Sequence, residues 1–131
     1  MGGVLVIDDD EDLLGALSDL IAALSQRPCL TMRSLAELVS AAPSALECDL
    51  AVVDINLGSG EPTGIDVYEW LRARGFRGRI VFLTGHAFSH PLVQRACALG
   101  HARVLRKPIG VVELRALLDE YDARSKITER A

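Results

Sequence analysis

No apolar run in this chain approaches the roughly 20 residues that a membrane-spanning helix needs. The N-terminus also lacks a basic segment followed by an apolar stretch and a small-residue cleavage site, so no signal peptide is indicated. Met1-Gly2-Gly3 suggests myristoylation only superficially, because Val6 stands where Ser or Thr is wanted. Cysteine is scarce and odd in number: Cys29, Cys48 and Cys97, with no CxxC pair. That excludes a disulfide framework and a zinc site, and the three read as small apolar fillers in a reducing compartment. Positive charge is not in excess; the net charge is −4, which repels phosphate backbones and argues against direct nucleic-acid or basic membrane-surface binding. No GxxxxGK[ST] loop follows a strand, which excludes a P-loop nucleotide site. There is no internal repeat and no low-complexity segment. The expectation is one soluble, cytoplasmic domain.

What the chain does have is enough apolar residues, 50% of its 131, to bury a core of its own. Val4 to Ile7 is apolar on both sides of its alternation, the mark of a strand buried on both faces, and it ends in Asp8-Asp9-Asp10. Leu13, Leu14, Leu17, Leu20, Ile21 and Leu24 then recur at helical spacing, with Asp10, Glu11 and Asp12 at the positive helix start, until Gln26-Arg27-Pro28. Cys29 to Met32 is a weaker strand. Ser34 caps a helix over about Leu35 to Ala42, which Pro43 stops. Leu50 to Val53 is a second clear strand, ending at Asp54. A Gly/Pro-rich loop, Gly58 to Gly64, leads to a helix with Ile65, Val67, Tyr68 and Leu71, released at Gly75. Ile80 to Leu83 is a third clear strand, ending at Thr84. Ser89 and Pro91 start a helix whose face carries Val93, Ala96, Cys97 and Gly100, with Gly100 as a left-handed cap. Val104-Leu105 leads to Arg106-Lys107-Pro108, and the last helix carries Leu114, Leu117, Leu118 and Tyr121. Beyond about Asp122 the chain is polar and reads as a fraying tail or linker stub, 123–131, after a domain over 1–122. Strand and helix alternate five times, which implies α/β architecture: a parallel sheet with helices on both faces.

In open sheets of this kind ligands bind at the carboxyl ends of the strands. The residues there are Asp8 and Asp9, Asp54, Thr84 and Lys107. Each alone is an ordinary turn or cap residue; together, in order and at strand ends, they converge on one rim. Clustered acids disfavour one another's ionisation, which a divalent cation relieves, and an all-oxygen set that leaves room for water suits Mg²⁺. A cation, an ammonium and a hydroxyl aimed at one point suit a transferring phosphoryl group, and a carboxylate can accept that group as an acyl phosphate.

With these residues in place the chain resembles the receiver domains of two-component response regulators, from Val4 to about Tyr121. The motifs are Val4-Leu5-Val6-Ile7-Asp8-Asp9-Asp10, Val52-Val53-Asp54-Ile55-Asn56-Leu57, Leu83-Thr84-Gly85 and Arg106-Lys107-Pro108-Ile109. The resemblance implies a flavodoxin-like, doubly wound sheet of five strands in the order 2-1-3-4-5 with five helices. It implies Asp54 as phosphoacceptor from a sensor histidine kinase or phosphotransfer protein, and Mg²⁺ on Asp8, Asp9, Asp54 and the backbone carbonyl of Asn56. It further implies Thr84 and Lys107 on phosphoryl oxygens, and a cis Lys107-Pro108 bond. The domain would be a signalling switch rather than an enzyme. It would bias the face from the fourth strand to the fifth helix, also the family's usual homodimer surface, toward a downstream protein target or fused output domain.

Three departures from the family pattern stand out. The loop after Asp54 is about two residues longer than usual, with Gly58 where Pro is frequent. Val104 replaces a frequent Tyr or Phe, which removes the aromatic form of the switch. Gly85 follows Thr84 where Ala is common, adding backbone freedom. His86, His90 and His101 do not read as phosphotransfer histidines, since none sits in a helical hairpin. The alternative function is a pseudo-receiver, an interaction module that works without phosphorylation. A haloacid dehalogenase-type hydrolase is disfavoured by Asn56, where that class needs a second Asp.

Overall fold

The computed structural model describes residues 2–100 and 102–130, with side chains described as far as Glu120. The elements alternate as β1 (Val4–Ile7), α1 (Glu11–Leu24), β2 (Cys29–Met32), α2 (Leu35–Ala41), β3 (Leu50–Asp54), α3 (Gly64–Ala73), β4 (Arg79–Thr84), α4 (Pro91–Cys97), β5 (Ala102–Arg106) and α5 (Val111–Arg130). All strand pairs are parallel and the order is β2-β1-β3-β4-β5. This is the doubly wound, flavodoxin-like arrangement that the sequence led us to expect.

Side-chain alternation divides the interior into two cores. Val4, Val6, Leu50, Val52, Val81 and Leu83 face α1 and α5, where they meet Leu14, Leu17, Ile21, Leu114, Leu117 and Leu118. Leu5, Ile7, Ala51, Val53, Ile80 and Phe82 face the other way, onto Leu38 of α2, Ile65, Val67 and Leu71 of α3, and Val93 and Ala96 of α4. Burying a side chain of this size contributes about 1.5–3 kcal/mol, and both faces of β1, β3 and β4 collect it. That is why these strands read as continuous apolar runs.

Helix starts follow local chemistry. Asp10 caps α1 by accepting the amides of Asp12 and Leu13 at 3.0 and 3.2 Å. Ser34 caps α2 through the Glu37 amide, as expected. Thr63 and Asp66 form a reciprocal capping box at α3.

Some local expectations are corrected. α4 is capped by His90, not Ser89, and ends at Cys97. Gly100 lies beyond that end and has no positive φ, so it is not a left-handed cap; Gly75, at φ +84° after α3, is one. Cys97 is exposed rather than an apolar filler, whereas Cys48 is buried and Cys29 half-buried. After α2 the chain adds a 3₁₀ turn, Ser44–Glu47, whose Ala45 is buried. Arg27, read only as part of a helix stop, is buried and donates to the Gly2 carbonyl at 2.7 Å and Asp49 Oδ2 at 3.4 Å. His101 and the side chain of Tyr121 lie outside the described residues, as do the side chains on which the boundary between domain and tail at residue 122 would be judged.

Candidate phosphoacceptor site

Strand register assembles the site. Ile7 is level with Val53 across β1 and β3, so Asp8 and Asp54 emerge side by side. Thr84 is level with Arg106 across β4 and β5, which brings the next residue, Lys107, to the same rim. Among the described residues, carboxylate oxygens of Asp8, Asp9 and Asp54 come within 4.8 Å of one another. Lys107 Nζ reaches Asp8 Oδ2 at 2.7 Å and Asp54 Oδ2 at 3.0 Å. The peptide bond after Lys107 is cis, as expected; so is that between Ala42 and Pro43.

The two inner carboxylates are buried and the third is not. Asp8 and Asp54 are 1% and 5% exposed, while Asp9 is exposed. Asp8 Oδ1 accepts the Asp10 amide at 2.9 Å. Asp8 Oδ2 has the Lys107 ion pair but no well-aligned hydrogen bond, so its acceptor capacity is not used up. Asp54 Oδ1 accepts the Asn56 amide at 3.3 Å. Burial, then the charge of Asp8, pushes the Asp54 carboxyl from 3.8 up to about 7, against the pull of Lys107 and the Asn56 amide. Burial works against the Lys107 ammonium, but Asp8 and Asp54 together outweigh it and raise its pKa above the ordinary 10.5.

The rim opens into a pocket of about 310 Å³ lined by Asp9, Asp54, Asn56, Gly58, Ser59, Gly85, His86 and Lys107. The long loop after Asp54 forms one wall. Gly58 stands at φ +118°, a conformation that side chains with a Cβ avoid. At the loop's far end Gly64 packs so closely under β3 that a Cβ would lie 2.3 Å from the Asp54 carbonyl. Thr84 is 1% exposed, and its hydroxyl accepts the His86 amide at 3.0 Å.

The five residues expected at the strand ends are therefore neighbours on one rim. Asn56 sits beside them, with its backbone amide on Asp54 and its side chain turned to Gly58 and His86. Sequence reasoning set His86 two residues past Thr84, where it could influence water access, and gave it no catalytic role. The structure places it in the pocket wall, where its contact with Asn56, 30 positions away, is one that no local spacing signals.

Comparison with known proteins agrees with this geometry. The response regulator receiver domain model matches residues 4–119. The chain belongs to that family. The receiver domain is 33% identical over 117 residues to the photosynthetic apparatus regulatory protein RegA of Rhodovulum sulfidophilum. That match covers 88% of this chain and 60% of the relative, so the chain spans about three-fifths of the curated protein's length. Among solved structures, a response regulator receiver domain protein from Clostridium thermocellum superposes with a TM-score of 0.75 at 21% identity, covering 98% of this chain and 99% of that one. The signal receiver domain of a LuxO repressor protein from Vibrio parahaemolyticus gives 0.79 at 18% identity, covering 98% and 95%. These structural likenesses bear on the fold.

Receiver domains are signalling domains that work with kinases and output partners rather than enzymes in the usual sense. This one carries the acidic pocket of Asp8, Asp9 and Asp54, a cluster that could bind a metal ion. No helix among the described residues is long and apolar enough to cross a membrane.

Proposed function

We propose that this receiver domain accepts a phosphoryl group on Asp54 from a histidine kinase or phosphotransfer protein, with Mg²⁺ as cofactor, inside the cytoplasm. The observation that carries the reading is the meeting of three carboxylates within 4.8 Å with one ammonium shared between two of them. An all-oxygen donor set with spare acceptor capacity at Asp8 Oδ2 fits a hard divalent cation. Asp8, Asp9, Asp54 and the Asn56 carbonyl would hold it, and when bound it would neutralise charge on the phosphoryl oxygens.

Transfer needs little from the protein beyond position and charge. An Asp54 carboxylate oxygen attacks phosphorus; the bond from phosphorus to the donor imidazole nitrogen breaks, and that nitrogen keeps the electron pair. The product is an acyl phosphate. Lys107 gives up its pairing with Asp54 Oδ2 and turns to a phosphoryl oxygen, and the Thr84 hydroxyl donates to another. Those two movements bias the face from β4 to α5 toward a downstream target, a fused output domain or a second copy of the chain. Water or a phosphatase hydrolyses the acyl phosphate and resets the domain.

The test is intact mass after incubation with acetyl phosphate, with and without Mg²⁺, beside Asp54→Asn. A Mg²⁺-dependent gain of one phosphoryl mass that the variant lacks is the expected result. No gain from acetyl phosphate, nor from a phosphorylated histidine donor, would favour an interaction module that works unmodified.

A further inference from the structure

Two histidines connect the pocket to α4 through contacts not yet given a role. Asn56 Oδ1 accepts the Gly58 amide at 3.1 Å, which turns its Nδ2 toward His86 Nε2, also at 3.1 Å. An amide nitrogen only donates, so His86 Nε2 is the acceptor and the ring proton is on Nδ1. The His86 ring stacks on His90, with centroids 4.6 Å apart and planes 26° from parallel. His90 Nδ1 in turn accepts the Leu92 amide at 3.2 Å and so caps α4. The His86 backbone is tied to Thr84: its amide donates to Thr84 Oγ1 at 3.0 Å, and the Thr84 hydroxyl faces the His86 carbonyl at 3.5 Å.

We infer that Asn56, His86 and His90 form a relay that carries occupation of the Asp54 site to the first turn of α4. The inference rests on the phosphoacceptor reading above. A hydroxyl has one proton. While that proton faces the His86 carbonyl, the segment from Thr84 to His86 is closed on itself; turning it to a phosphoryl oxygen breaks that contact, and the His86 amide, still bonded to Oγ1, follows the hydroxyl. Gly85 has open space where a Cβ would be and nothing there to resist a shift. The His86 ring then moves against its Asn56 bond and its stack on His90. His90 draws the Leu92 amide with it, because the first amides of a helix have no partner within the helix and this one depends on that imidazole. The partly buried Val104 packs in the core beside α4 but offers no ring to carry such a shift.

Amide NMR of the isotope-labelled chain tests the relay, with Mg²⁺ and beryllofluoride as the probe for a phosphoryl group. In the wild type, shifts are expected at the site amides of Ile55, Asn56 and Gly85 and also at Leu92, Val93 and Gln94. His90→Asn keeps a capping side chain but removes the stack. His90→Phe keeps a ring but removes the acceptor. Both are expected to keep the site shifts and lose those of Leu92 to Gln94. Because each response is the difference between free and bound forms of one variant, any static change in α4 cancels. Site shifts with an unmoved α4 in the wild type, or wild-type α4 shifts in His90→Asn, would overturn the relay and leave the phosphoacceptor reading intact. No site shifts in the wild type would overturn that reading and the relay with it.

Discussion

Replacing Asp54 by Asn is expected to stabilise the metal-free domain above neutral pH, although it removes the phosphoacceptor. The folded-state pKa of about 7 lies some three units above the ordinary 3.8. The folded domain therefore holds this proton more tightly than the unfolded chain does. Stability from this group is full below about pH 4, is lost as pH rises toward 7, and its loss is complete above that. At about 1.4 kcal/mol per unit the ceiling is about 4 kcal/mol. The substituted amide recovers only part of it, because its N–H₂ cannot accept from Lys107 and one oxygen must serve both Lys107 and the Asn56 amide. A gain of about 2 kcal/mol at pH 8.5, falling close to zero by about pH 5.5, is the expected outcome. Urea unfolding of both proteins across that range, in chelator, reads it directly through the midpoint at constant slope. A variant less stable than the wild type at pH 8.5, or a difference that does not change with pH, would refute the electrostatic account of the site.

Adding Mg²⁺ should reverse the ranking: at 100 times its dissociation constant a cation that binds only the folded state adds about 2.7 kcal/mol, visible as a rise in Tm that Asp54→Asn and Asp8→Asn largely lose. Lys107→Met should cost about 2 kcal/mol in chelator at pH 8, since it leaves two buried acids without their ammonium. That cost should shrink at pH 6, where Asp54 takes a proton. Gly64→Ala should lower stability by about 1–3 kcal/mol in urea, because the added methyl meets the Asp54 carbonyl and its backbone neighbours rather than a side chain that can swing away.

The frame of this domain was legible because β1, β3 and β4 are buried on both faces, leaving continuous apolar runs that each end in a polar residue. The acids, Thr84 and Lys107 could be placed on one rim from chain order alone, since every strand of a parallel sheet ends on the same side. Helix ends were less legible. Ser89 carries the commoner capping side chain, yet the helix begins at Pro91, which leaves His90 in the capping position, its ring nitrogen on the Leu92 amide. Gly100 looked like a terminator, but α4 had already ended at Cys97. The 3₁₀ turn was hidden behind Pro43, which reads as a stop whatever follows it. Arg27 showed its charge in the sequence but not its partners, Gly2 and Asp49, which the fold brings from distant segments.

The strand order also divides the rim. β3 lies between β1 and β4, bonded along both edges, so the strand that ends at Asp54 is the midline of the rim. On one flank β1 leads to Asp8 and Asp9, which offer only negative charge. On the other, β4 and β5 lead to Thr84 and Lys107, which offer only donors to an incoming anion. Under the proposed role, capture of the cation and reading of the phosphoryl group fall to opposite halves of one sheet. The Lys107 ammonium, 2.7 Å from Asp8 Oδ2, joins the two flanks, so a substitution at either residue reaches both tasks.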